Sequence, residues 1–233
     1  MRHTRSFPIR ILTWIGQHEL AVLLAFAAFA AGILVFAVTA SEVIHGETQA
    51  FDRNLLLAMH VNSSELEEVT RDITALGGTT LLTMLTLFTG GYLLLNGHKH
   101  IWLFVWGSIL SGALVDAMLK DIYQRPRPDL VSHGSYVTTT SFPSGHSMLS
   151  AVTYLTLGAL LARSHRRKRL KAYFLLIAAI LTILVGLSRV ALGVHWPTDV
   201  LAGWAAGATW SALCWLVARR LQVHQVIEQE TDA

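Results

Sequence analysis

The chain has 233 residues, 53% of them hydrophobic and only 14% charged, with a mean hydropathy of +0.48. That charged share lies well below the roughly 25% of an average soluble domain, which weighs against a water-soluble globule and excludes a disordered chain. Cys214 is the single cysteine, so a disulfide scaffold is excluded as well. The net charge of +3 does not point to nucleic acid, because the basic residues stand in short segments between apolar runs, where they set membrane orientation.

The apolar runs are long and unbroken, the mark of helices that cross a bilayer. They predict an all-α membrane bundle with six spans near residues 20–41, 74–95, 101–122, 146–163, 172–192 and 198–218, the fourth being the shortest. The first span follows Arg2, Arg5 and Arg10 and ends in Val38-Thr39-Ala40, as a secretory signal would. Its apolar run exceeds the roughly 7–15 residues of a signal core, so an uncleaved span is expected. With the N-terminus in the cytoplasm, inner segments hold twelve of the eighteen Lys and Arg residues, and both termini are expected inside. Residues 1–233 read as one domain, with a core bundle over about 74–220 and an outer interfacial loop over about 43–73. Within that loop Phe51 to His60 alternates in a helical manner and Ser64-Glu65-Leu66-Glu67 has capping-box spacing. A short interfacial helix and a solvated loop are both compatible with this pattern. Asn62-Ser63-Ser64 matches a glycosylation sequon, a pattern that arises often by chance. The acidic tail from Glu228 to Asp232 reads as a frayed end.

Three polar clusters fall at the outer ends of spans three to six. The first runs from Lys120 through Arg125, Pro126 and Arg127 to Pro128. A lone cation there would be a snorkelling anchor; three cations beside two helix-stopping prolines suit a phosphate, which guanidinium binds bidentately and ammonium binds as a point charge. The second, Phe142-Pro143-Ser144-Gly145-His146-Ser147, opens span four. It reads as an ordinary serine-capped helix start, or as a site where free amides meet an anion and His146 donates a proton to a leaving oxygen. The third holds Ser188, Arg189, His195 and Asp199. Asp199 stands four residues beyond His195, within reach of the imidazole Nδ1–H, which would leave Nε2 free as a nucleophile. The plainer alternative is a lone interfacial histidine with an aspartate near a helix start. Topology derived from hydropathy and charge alone brings the three clusters to one face, and the inventory suits phosphoryl transfer by positioning and electrostatics. A catalytic metal would want several converging carboxylates or histidines beyond Asp199, so no metal and no other cofactor is expected.

Together the clusters resemble the three-part signature of the type 2 phosphatidic acid phosphatase superfamily, the lipid phosphate phosphatases: K-x6-R-P, P-S-G-H and S-R-x5-H-x3-D. Here these stand as Lys120…Arg127-Pro128, Pro143-Ser144-Gly145-His146 and Ser188-Arg189…His195…Asp199, with no departure at any signature position. The resemblance implies a helical membrane enzyme that hydrolyses the phosphomonoester or pyrophosphate of a lipid without metal. Similar bacterial enzymes act on phosphatidic acid, phosphatidylglycerol phosphate or undecaprenyl pyrophosphate, with active sites facing away from the cytoplasm, and a bacterial inner-membrane location follows. It implies His195 as nucleophile, Asp199 as its orienting partner and His146 as proton donor to the leaving group. Lys120, Arg127, Arg189, Ser144 and the Gly145 amide would bind the phosphoryl oxygens.

A lipid phosphotransferase working through the same phosphohistidine is compatible with these motifs, and a non-catalytic transporter or scaffold is the remote reading; neither the lipid nor the oligomeric state is readable. Outside the signature, Arg125 reads as a contact to a second phosphate or as a headgroup anchor. Asp116, four residues before Lys120, reads as its structural support. Gly203, Gly207, Trp204, Trp210 and Trp215 read as packing and interface residues, and Cys214 as inert packing.

Overall fold

The computed structural model of the protein describes residues 7–135 and 139–231, with side-chain surroundings for 20–135 and 139–220. Arg2, Arg5 and Asp232 lie outside the described residues, as do the side chains of Arg10 and Glu228. Eight helices and no strand occur among the described residues: α1 Phe7–His45, α2 Gln49–Met59, α3 Ser64–Ala75, α4 Thr79–Leu95, α5 Lys99–Tyr123, α6 Gly145–Ser164, α7 Lys168–Ala191 and α8 Pro197–Thr231. Among the described residues, six segments are long and apolar enough to span a bilayer, as expected from the sequence. The second combines the end of α3 with α4, because the chain breaks between them at Leu76–Gly78, where Gly77 sits against Val185 too closely for a side chain.

The most and the least apolar of these spans differ sharply in burial. The most apolar window, in α1, has a mean hydropathy of 2.7 and is only 6% buried, whereas that of α6 has 1.2 and is 61% buried. A helix facing lipid must be apolar on its outer surface, while a helix enclosed by protein can carry hydroxyls. Helix α6 accordingly buries Ser147, Ser150, Thr153 and Thr156. It is the centre of the bundle, packed against α5, α7 and α8, with α1 running along the far side of α8. Small residues permit the approach. A Cβ on Gly158 would stand 2.8 Å from the Ala178 Cβ, and one on Gly207 would stand 2.5 Å from the Met148 carbonyl oxygen. Indole N–H groups close other gaps, Trp204 donating to the Thr182 carbonyl at 3.0 Å and Trp210 to the Ser108 carbonyl at 3.2 Å.

The segment between α1 and α4 holds two helices, and it docks on the end of the bundle. Leu56 of α2 is fully buried in a cluster with Val190 and Val200. The start of α3 corrects the capping reading. Ser63, in extended backbone, is the N-cap and its Oγ accepts from the Leu66 N–H at 3.3 Å. With the cap one residue earlier than Ser64, Glu67 is out of phase for a capping box and instead pairs with Arg71 at 2.5 Å. The Arg71 Nε donates to the Gly134 carbonyl at 2.6 Å, which fastens α3 to the loop leading toward α6.

Replacing Gly207 by Val puts a branched side chain into the Met148 backbone and forces α6 and α8 apart. The expected cost is about 1–3 kcal/mol, read as a lower unfolding temperature in detergent; an unchanged temperature would contradict this packing.

Candidate active site

Four helix ends meet at one end of the bundle: the C-termini of α5 and α7 and the N-termini of α6 and α8. Helix α5 stops at Tyr123, Gln124 takes a left-handed conformation (φ 42°), and the prolines 126 and 128 keep the chain from re-entering a helix. Pro197 begins α8, where its missing N–H costs nothing. Helix α6 begins at Gly145 with Ser144 as N-cap, and Ser144 makes no side-chain cap hydrogen bond. The first-turn amides of α6 therefore have no capping side chain and are available to an anion.

The three sequence clusters are joined by hydrogen bonds. The Lys120 Nζ donates to the Pro143 carbonyl at 2.8 Å, linking the first cluster to the second. The Ser144 N–H donates to the Asp199 carbonyl at 3.0 Å, linking the second to the third. The Arg127 Nη1 donates to the Val194 carbonyl at 2.7 Å and lies 3.0 Å from His195 Nε2, linking the first to the third. Asp116 pairs with Lys120 at 2.6 Å, as its spacing suggested. Both groups crowd Gly145, where an added Cβ would come within 3.0 Å of the Asp116 carboxylate and 3.1 Å of the Lys120 Nζ. Lys120 is thereby held at the α6 N-terminus.

His195 is buried, in the loop between α7 and α8, with its Nδ1 3.4 Å from the Asp199 Oδ2. The contact is long because Oδ2 also accepts from the Ser141 hydroxyl and from the Trp196 N–H, the latter at 2.9 Å. A neutral ring with its proton on Nδ1 satisfies both sides: Nδ1–H faces the carboxylate and the Nε2 lone pair accepts from Arg127. Burial pushes the His195 pKa down to about 4; the Asp199 carboxylate raises it only in part, and the Arg127 and Arg189 guanidiniums lower it further.

Arg189 is 2% exposed; its Nη1 donates to the Thr74 Oγ1 at 3.1 Å, and its Nε has no partner among the described residues. An unanswered N–H on a buried guanidinium is costly and is a ready donor to a phosphoryl oxygen. His146, half-buried in the first turn of α6, feels the charges of Arg189, Arg127 and Lys120 and stands near His195. Ser188 turns away, its hydroxyl donating to the Val185 carbonyl of its own helix at 2.6 Å. Ser144 is fully buried and accepts from the Ser147 hydroxyl at 3.0 Å.

Arg125 is not a surface anchor or an open phosphate contact. Its guanidinium is held between two buried carboxylates, Asp199 at 2.6 Å and Asp52 at 2.7 Å. Asp52, Ser141 and Thr198 are the residues that sequence reasoning missed. Thr198 sits inside the third cluster and Ser141 just before the second, so proximity was the available signal for both. Asp52 has no local signal, since it reaches the site only through the docking of α2.

A polytopic helical bundle with an electropositive, histidine-bearing site at one end defines the class of membrane enzyme to which the comparisons point. The family model of the PAP2 superfamily matches residues 100–222, and the chain belongs to that superfamily. It is 33% identical to phosphatidylglycerophosphatase B of Bacillus subtilis, over 75% of this chain and 86% of that protein. It is 27% identical to a lipid A 1-phosphatase of Rhizobium etli, over 71% and 79% respectively. The crystal structure of a transmembrane PAP2-type phosphatidylglycerolphosphate phosphatase from Bacillus subtilis superposes with a TM-score of 0.75 at 29% identity, over 80% of this chain and 93% of that one.

Because His195 loses its proton as pH rises through about 4, its ring is neutral throughout the neutral range. Nitrogen-15 histidine NMR at about pH 6 is expected to show His195 protonated at Nδ1 alone. A doubly protonated His195 at that pH would contradict the geometry.

Proposed function

We propose that the protein is a lipid phosphate phosphatase that transfers the phosphoryl group of its substrate to His195 Nε2 and then to water. The observation that carries the reading is the His195 environment: Nδ1 faces Asp199, Nε2 lies against Arg127, and Arg189, whose charge reaches the ring, is buried with an Nε that has no partner among the described residues. In the first step the Nε2 lone pair attacks phosphorus, the bond to the lipid oxygen breaks, and His146 gives that oxygen a proton. In the second, water attacks the phosphorylated nitrogen's phosphorus, His146 takes the water's proton, and inorganic phosphate leaves with His195 restored. Lys120, Arg127, Arg189 and the α6 amides, with Ser144 and Gly145, stabilise the charge on the equatorial oxygens without reorganising. Asp199 stabilises the positive ring of the intermediate.

The named relatives act on phosphorylated membrane lipids, which favours a phosphatidylglycerol phosphate or similar headgroup here. A recess of about 420 Å³ lined by Arg71, Thr74 and His133 shares Thr74 with Arg189, and gives the rest of a polar headgroup a place beside the phosphate. The site sits where helix ends meet the headgroup layer, so substrate enters sideways from the lipid. With basic loops on the opposite side, that layer is the outer leaflet of the inner membrane.

Purified protein in detergent with EDTA is expected to release phosphate from at least one of phosphatidylglycerol phosphate, phosphatidic acid and undecaprenyl pyrophosphate. His195→Ala is expected to lower kcat by about 10⁴-fold or more. Turnover that survives in folded His195→Ala, or that requires added metal, would contradict the proposal. In His146→Ala the loss is expected to shrink on a substrate with a more acidic leaving group, since such an oxygen departs without a proton. An equal loss on both substrates would remove His146 as the proton donor.

A further inference from the structure

Asp52 lies in the first turn of α2 and is fully buried. Its Oδ1 accepts from the Thr198 N–H at 3.0 Å, and its Oδ2 accepts from the Thr198 hydroxyl and the Arg125 Nη2, both at 2.7 Å. From the other side of the same guanidinium, Nη1 donates to the Asp199 Oδ1 at 2.6 Å and to the Thr198 Oγ1 at 2.9 Å. Behind the neutral His195 ring, Asp199, Arg125 and Asp52 thus form one line of alternating charge. It begins at the reacting imidazole and ends on a helix outside the core bundle.

Two physical consequences follow from this line. Arg125 binding Oδ1 leaves Oδ2 toward the imidazole, so the carboxylate cannot rotate away from His195. A guanidinium alone at 2.6 Å would also draw the Asp199 charge away from the ring, and in a site of low dielectric that effect is large. Asp52 balances the guanidinium, so Asp199 keeps its attraction for an imidazole that becomes positive during the reaction. Removing one member of a buried pair leaves the other uncompensated, which makes the line sensitive to single changes.

We propose that Asp52 and Arg125 are positioning residues for phosphoryl transfer, acting through Asp199 to hold the His195 ring in line and to preserve the negative charge behind it. The inference rests on the reading of His195 as the nucleophile. It makes the docking of α2 part of the assembly of the site, so the segment between the first two spans contributes to catalysis from outside the family's sequence motifs.

Asp52→Asn separates this role from a purely structural one. The amide oxygen still accepts from the Thr198 N–H, so α2 stays docked, while the charge is lost. Steady-state kinetics on the full-length protein with phosphatidylglycerol phosphate in mixed micelles are expected to show kcat reduced about 10- to 100-fold with KM changed less than about threefold. Asp52→Glu, which keeps the charge, is expected to recover most of the loss. Should Asp52→Asn not yield folded protein, Arg125→Lys is the second variant: it keeps a positive charge yet cannot bridge both carboxylates, and the same fall in kcat is expected. Wild-type kcat in either variant once folded, or a loss that falls wholly on KM, would overturn the proposal. His195→Ala run alongside separates the two readings. An active His195→Ala would remove the nucleophile assignment, whereas an inactive one beside a fully active Asp52→Asn would remove this inference alone.

Discussion

Asp199 is a carboxylate with no access to solvent, and a charge so buried persists only where its oxygens are met by donors and an opposite charge. The donors come from separate stretches of chain: Arg125 from the turn after α5, Ser141 from the loop before α6, and Trp196 from the turn that starts α8. Meeting the needs of one carboxylate therefore fixes three loops with respect to one another. The same loops carry Arg127, the α6 N-terminus and His195. Much of the site's geometry is thus a consequence of satisfying Asp199, and Asp52 extends the requirement to α2.

The bilayer supplies the second constraint. Irregular backbone and unpaired charges are tolerated in lipid only where protein or water answers them, so loops of this kind belong at the helix ends. The polar interior of α6 continues inward from Ser144 as a series of buried hydroxyls, and α4, α5, α7 and α8 pack around it. Cations fixed by such packing need no reorganisation when charge develops on a phosphoryl group. Lys120 illustrates this, held by Asp116 and the Pro143 carbonyl beside Gly145.

The six spans were legible because hydropathy over about 20 residues records a requirement that lipid imposes on each helix separately. The fourth was the weakest by that measure for the reason that makes it central: a helix enclosed by protein need not be apolar. The convergence of Lys120, Arg127, His146, Arg189, His195 and Asp199 was legible because hydropathy put their clusters at the same end. Arg125 was misread, since a cation near a span end looks the same whether it faces headgroups or a buried carboxylate. Its partner, Asp52, lies 73 residues away in a helix whose pattern resembles a surface helix. The cap of α3 was displaced by one residue because Ser63 and Ser64 are equivalent in sequence, and only the extended backbone of Ser63 decides between them.

Under the proposed mechanism the phosphoryl group passes through His195. The most direct measurement is a rapid quench of wild-type protein with lipid labelled in the phosphoryl group, followed by peptide mapping at alkaline pH. The mechanism predicts a transient label on the peptide bearing His195, stable to base and released by acid, as a phosphorus–nitrogen bond requires. Label on another residue, or none while the dephosphorylated lipid has already appeared in a burst, would contradict it.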